Sequence, residues 1–382
     1  MTPSKSGWIG TWTAAPAQAE GIAFSNQTLR MQPRISLGGQ SLRVRLSNAH
    51  GNRPLLIGAA HIAMRAQGPA IVPGSDRVLR FGGADSATIA AGALLISDPV
   101  ALDVPALADL SVSVFLPGEI PATFQVTGRY ARQTNYVSPP GNFCDAEVMP
   151  VGRLSDDWYF LCGIDVLADP GTGGIVALGD SLTDANISTL DAFCRWPDQL
   201  ARRLATRKAG RAFGVMNQGL GGNRILHDVR GDSGLRRFDR DVLAQPGVTH
   251  VIVMLGTNDL RNRWGKPEEE VTGQQMIAGL QQMVLRAHAR GIRIFGATLT
   301  PFENETFLPG AWTPAREATR QAVNAWIRDG GAFDAVVDFD QGLRDPEHPT
   351  QMLPLYDCGD HLHPSDAGYN RMGDVIDLSL FE

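Results

Sequence analysis

The hydrophobic pattern of this chain changes period once, near residue 170, and that change limits what the chain can fold into. Before it, apolar and polar residues alternate. In SLRVRLSN, Leu42, Val44 and Leu46 fall on one face, with Arg43 and Arg45 on the other; LSVSVFLPG repeats the pattern with Val112 and Val114. Period two over short runs, broken by Gly, Pro and Asn, predicts antiparallel strands. Several such strands without a long helical pattern predict an all-β sandwich of jelly-roll type. In LADPGTGG (167–174), Pro170 and three glycines interrupt the pattern. The expected division is a β-sandwich domain over 1–167, a linker over 168–173 and a second domain over 174–382.

The second part alternates strand and helix. GIVALGD (174–180) and GVTHVIVMLG (247–256) are continuously apolar, as strands buried on both faces are. Between and after them come helical spacings: Trp196, Leu200 and Leu204, then Met276, Leu280, Met283, Val284 and Ala287. Thr313 precedes Pro314 as an N-cap precedes a helix, and SDAGYNRMGDVI closes the chain with a further helical pattern. This alternation predicts a parallel sheet with helices on both faces, an α/β fold.

With 382 residues the chain is long for a single core. At 43% hydrophobic and 19% charged residues it reads as globular. A formal charge of −6 argues against nucleic acid or an anionic membrane as partner, and no apolar run is long enough to span a bilayer. The opening MTPSKSGWIGTW has no apolar signal region, so the location expected is cytoplasmic, or exported if a signal has been removed. Cys144, Cys162, Cys194 and Cys358 are too few for a disulfide framework; a Cys144–Cys162 bridge stays open. Oligomeric state is not legible.

Two tetrapeptides present a serine after Gly-Asp: GDSL (179–182) and GDSG (231–234). Ser181 stands at the end of a buried strand, where open α/β sheets bind ligands. A chain turning into a helix there leaves backbone N–H groups for developing negative charge. Ser233 sits in the charged stretch HDVRGDSGLRRFDRD and reads as a loop serine. Nucleophilic serine chemistry also needs a base, an orienter of that base and oxyanion donors. NQGLGGNR (217–224) supplies Gly222, GTND (256–259) supplies Asn258, and DHLHP (360–364) supplies Asp360 and His363, all at the same sheet edge.

GDSL, NQGLGG, GTND and DHLH occur in that order, and the set resembles the SGNH, or GDSL, hydrolase family. The resemblance covers 174–382. It implies a flavodoxin-like three-layer α/β/α fold and serine-dependent hydrolysis of carboxylic esters through an acyl-enzyme on Ser181. It further implies His363 as base, Asp360 as its orienter, and Ser181, Gly222 and Asn258 as the oxyanion hole, with no cofactor and no metal. WIGTWTAAP and VRLSNAHG are similar to a subgroup carrying a β-sandwich before this domain, whose relatives suggest short-chain acyl or acetyl esters on small molecules or carbohydrate. An acyltransferase or thioesterase would use the same residues. From another class comes a carbohydrate-binding protein with an inactive α/β domain. Two turn-rich segments of the first domain, SNAHG (47–51) and RQTNYVSPPGNF (132–143), carry Asn48, Asn135 and Tyr136 as candidate substrate-binding residues. The cluster Cys358, Asp360, His361 and His363 has metal-ligating types but no second ligand group elsewhere in the chain.

Overall fold

The structure is a computed structural model that describes residues 7–18, 23–121, 126–129, 131–207, 209–262 and 266–382. It divides into two compact units, residues 1–172 with 212–216, and 173–211 with 217–382.

The first unit is built from antiparallel strands. One sheet orders Gly7–Thr13, Leu161–Ala168, Gly39–Ser47 and Val100–Val104, with Leu94–Ile96 also paired to Gly39–Ser47. A second orders Arg153–Ser155, Asn135–Pro140, Phe24–Met31, Leu110–Ile120, Ala59–Met64 and Arg77–Val78. Their apolar faces share one core: Leu42, Val44, Leu46 and Ile164 from the first sheet meet Leu29, Ile62, Val112 and Val114 from the second. Full burial of each such side chain stabilises by about 1.5–3 kcal/mol. The alternation at Leu42, Val44 and Leu46 is kept, but Arg45 is buried rather than solvated. Asp165, on the neighbouring strand, takes both Arg43 and Arg45 at 2.9 and 3.1 Å. The space Arg45 occupies exists because residue 163 is glycine; a Cβ there would lie 2.3 Å from the guanidinium. All four cysteines are unbridged.

A further sheet has five strands in the order Phe213–Gly219, Gly173–Gly179, Val248–Met254, Arg293–Ala297 and Ala335–Val337; the last four, with residues 217–219 of the first, belong to the second unit. In chain order that is 2-1-3-4-5, the flavodoxin-like arrangement, and the pairings of the last four strands are parallel. The helices are α1 (Ser181–Asp184), α2 (Trp196–Ala205), α3 (Gly234–Phe238), α4 (Thr257–Arg261), α5 (Gly273–His288), α6 (Pro314–Asp329), α7 (Phe339–Leu343) and α8 (Asp366–Val375). The strand Gly173–Gly179 is buried at every position, as its unbroken apolar run predicts. Thr313 caps α6 by accepting from the Arg316 N–H. No helix among the described residues is long and apolar enough to cross a membrane.

The strand Val248–Met254 carries a titratable group inside the unit. His250 is buried near Phe295 and Phe381, ring centroids 5.6 and 5.4 Å away. Burial, reinforced by the charges of Arg293 and Arg211, pushes its pKa down to about 4. A group whose folded pKa is depressed stabilises above its unfolded pKa, and that contribution is lost as the pH falls. Relative to His250→Gln, the wild type should therefore lose melting temperature between about pH 6.5 and pH 4. Thermal scans of both proteins across that range check this; a pH-independent difference would refute it.

Candidate active site

The site grows from the end of the strand Gly173–Gly179. The chain reverses into α1 against its own strand, and two glycines make the approach sterically feasible. A Cβ on Gly179 would lie 2.0 Å from the Thr183 hydroxyl, and one on Gly219 2.3 Å from the Asp184 backbone nitrogen. Asp180 caps α1 by accepting from the Leu182 N–H at 2.9 Å. Ser181 is thus the first residue of the helix, and its own N–H has no intrahelical partner.

His363 comes to this point from the segment between α7 and α8. Its Nε2 lies 3.0 Å from Ser181 Oγ, and its Nδ1 lies 2.7 Å from Asp360 Oδ2. The other carboxylate oxygen, Asp360 Oδ1, accepts the backbone N–H groups of Leu362 and His363 at 2.9 and 2.7 Å. Partial burial raises the Asp360 pKa, but the hydrogen bond and charge of His363, with these two N–H groups, outweigh it and hold the carboxyl well below the usual range. An ionised carboxylate only accepts, so Nδ1 donates to Asp360, and in the neutral imidazole that leaves Nε2 as the acceptor facing Ser181. Phe307 packs edge-on against the His363 ring, centroids 5.5 Å apart.

Asn258 lies in α4, beyond the strand Val248–Met254, and is buried. Its Nδ2 donates to Asp180 Oδ2 at 3.0 Å and to the Asn223 carbonyl at 3.1 Å. Gly222 has φ +80°, a backbone conformation that favours glycine. Among the described residues, none accepts a hydrogen bond from its N–H. Asp360, His363 and Ser181 thus form one hydrogen-bonded line, and Asn258 bonds to Asp180, the residue before Ser181, and to Asn223, the residue after Gly222.

Residues 177–371, just over half of the chain, match the GDSL-like lipase/acylhydrolase family. The chain belongs to that family. Solved structures similar to this GDSL hydrolase include a GDSL-like lipase from Bacteroides thetaiotaomicron (20% identity, 54% of this chain and 87% of that one, TM-score 0.41). They also include TesA (21%, 53% and 94%, 0.40) and a catalytic mutant of an acetylxylan esterase from Geobacillus stearothermophilus (22%, 54% and 93%, 0.42). No curated protein matches the chain.

Around the motifs of this GDSL hydrolase stand groups that spacing did not reveal. Arg237 is fully buried and donates to the carbonyls of Gly179 and Gln218, each at 2.8 Å, and to Asn223 Oδ1 at 3.0 Å. It tethers the strand ends that carry Ser181 and Gly222. The stretch around Ser233, expected as a loop, contains α3, and Ser233 is its N-cap residue. That stretch is charged because it delivers Arg237, with Asp241 as ionic partner at 3.2 Å.

The candidate substrate-binding residues of the first unit sit differently from the expectation. Asn135 and Tyr136 lie in the strand Asn135–Pro140, paired with Ser155 and Leu154, not in a surface loop. The Asn135 side chain is buried, accepting from the Gln32 N–H and donating to the Asp157 carbonyl. Asn48 is buried and its amide donates to the carbonyls of Arg53, Ile89 and Ala90. These amides hold their own unit's backbone together, an arrangement that turn-rich composition does not distinguish from a loop. In the Cys358 segment, His361 turns to Asp357 at 2.6 Å, while Asp360 and His363 are taken up as described. Asp357, Cys358 and Asp360 lie close enough to share an ion, but Asp360 already spends its oxygens on His363 and two N–H groups.

Proposed function

We propose that this GDSL hydrolase cleaves carboxylic esters through an acyl-enzyme on Ser181. The observation that carries the reading is the continuous Asp360–His363–Ser181 hydrogen-bond line. Ser181 Oγ attacks the ester carbonyl as His363 Nε2 takes its proton; Asp360 holds the ring and stabilises the imidazolium. The oxyanion is met by the N–H groups of Ser181 and Gly222 and by Asn258 Nδ2, which exchanges its longer bond, to Asn223, for the oxyanion. As the tetrahedral intermediate collapses, the carbon–oxygen bond to the alcohol breaks and His363 returns the proton to that alcohol. Water, deprotonated by the same nitrogen, then releases the acid and restores Ser181.

The substrates proposed are small-molecule or carbohydrate esters with short acyl chains, acetyl among them, a reading carried by the sequence resemblance. A p-nitrophenyl ester series of rising acyl length, followed by acetylated sugars, tests it; a maximum at long chains would overturn the acyl assignment. Stoichiometric labelling by a fluorophosphonate, mapped to Ser181 by peptide mass spectrometry, tests the acyl-enzyme. Asn258→Ala should lower kcat by roughly 10²–10³, the usual cost of one oxyanion donor, with KM moving less because that bond strengthens in the transition state. A large rise in KM at unchanged kcat would make Asn258 a ground-state binding group instead.

A further inference from the structure

Behind Asn258 lies a buried ion pair that the reaction scheme does not use. Arg261 closes α4, three residues after Asn258 and therefore on the same helix face. Its Nη1 donates to Asn258 Oδ1 at 3.2 Å. Its Nε and Nη2 form a two-pronged bond to Glu305, at 2.7 and 2.8 Å. Both side chains are almost fully buried, and neither hydrogen-bonds to Ser181 or His363.

We infer that Arg261, clamped by Glu305, is a positioning residue that sets the orientation of the Asn258 carboxamide. An amide has one accepting end and one donating end, and a guanidinium only donates. With Arg261 on Oδ1, the donating end is obliged to face Asp180 and the Asn223 carbonyl, the side where the oxyanion would form. A planar guanidinium forked onto a carboxylate has little freedom to release that oxygen, and a lysine could not make the fork. Glu305 also places the next stretch of chain. Thr306 N–H donates to the Asp360 carbonyl at 3.0 Å, and Phe307 stands against the His363 ring. One short segment therefore braces the amide on one side of Ser181 and the acid–histidine pair on the other.

The inference rests on the reading of Asn258 as an oxyanion donor, and the test separates the two. Removing Arg261 alone would leave a buried unpaired Glu305, so the pair is replaced together as Arg261→Met with Glu305→Met, a change that buried ion pairs often tolerate. In the full-length protein, with melting temperature as the check on folding, p-nitrophenyl acetate kcat should fall roughly tenfold or more, with KM within about twofold. Made on top of Asn258→Ala, the same replacement should change kcat by no more than about twofold, because the amide it orients is gone. Equal losses in both backgrounds would overturn the inference and mark the pair as scaffold. If Asn258→Ala alone leaves kcat intact, the oxyanion reading falls, and the Asn258 side-chain amide resonances judge the positioning separately. Two distinct, exchange-protected protons that merge or lose protection in the pair variant support it, and unchanged resonances overturn it.

Discussion

Ser181→Ala should cost roughly 10⁴-fold or more in kcat on p-nitrophenyl acetate, while Ser233→Ala should stay near wild type. The two serines share the same preceding dipeptide but not the same surroundings. Ser181 presents Oγ to His363 Nε2 at the end of a fully buried strand, and removing that oxygen leaves the base nothing to deprotonate. Ser233 opens α3 far along the chain; its backbone N–H is held by Asp228 at 2.6 Å, and its hydroxyl makes no capping bond. Circular dichroism would establish that both variants fold. Substantial turnover by folded Ser181→Ala would remove the acyl-enzyme from the scheme, and loss of activity in Ser233→Ala would reopen the question of which serine reacts.

Asp360→Asn should cost roughly 10³–10⁴-fold in kcat, far more than loss of a charge at a distance would explain. The reason lies in how the carboxylate is pinned. Oδ1 accepts two backbone N–H groups, so an asparagine would keep its oxygen there and turn its NH₂ toward His363 Nδ1. A donor facing Nδ1 forces the imidazole proton onto Nε2, the nitrogen that must accept from Ser181. The fluorophosphonate labelling rate should fall alongside kcat, because the defect precedes acylation. A loss below about tenfold would mean that another acceptor orients the ring.

Much of the site was legible because its parts are short and local. Asp360 and His363 are three residues apart, and two backbone N–H groups within the same segment hold the carboxylate. Ser181 follows an unbroken apolar run whose burial on both faces could be read directly, and Gly222 announces a backbone turn that side chains resist. Asn135 and Tyr136, expected in a turn-rich loop, lie in a strand, and Asn48 stays in its turn but buries its amide. Asn and Pro signal turns by composition, yet a strand paired on both sides and a buried amide satisfying backbone carbonyls have that composition too.

The period change near residue 170, the two fold classes on either side of it and the order of the four motifs are all legible in the amino-acid sequence. Those follow from hydrophobic periodicity and local backbone chemistry, which act over a few residues. The groups that lock the motifs together emerge from the folded chain alone. Arg237 reaches the carbonyls of Gly179 and Gln218, and Arg261 reaches Glu305, across separations at which one arginine looks like any other. A buried guanidinium must find acceptors wherever the fold brings them, and no periodicity in the chain encodes which carbonyl or carboxylate that is.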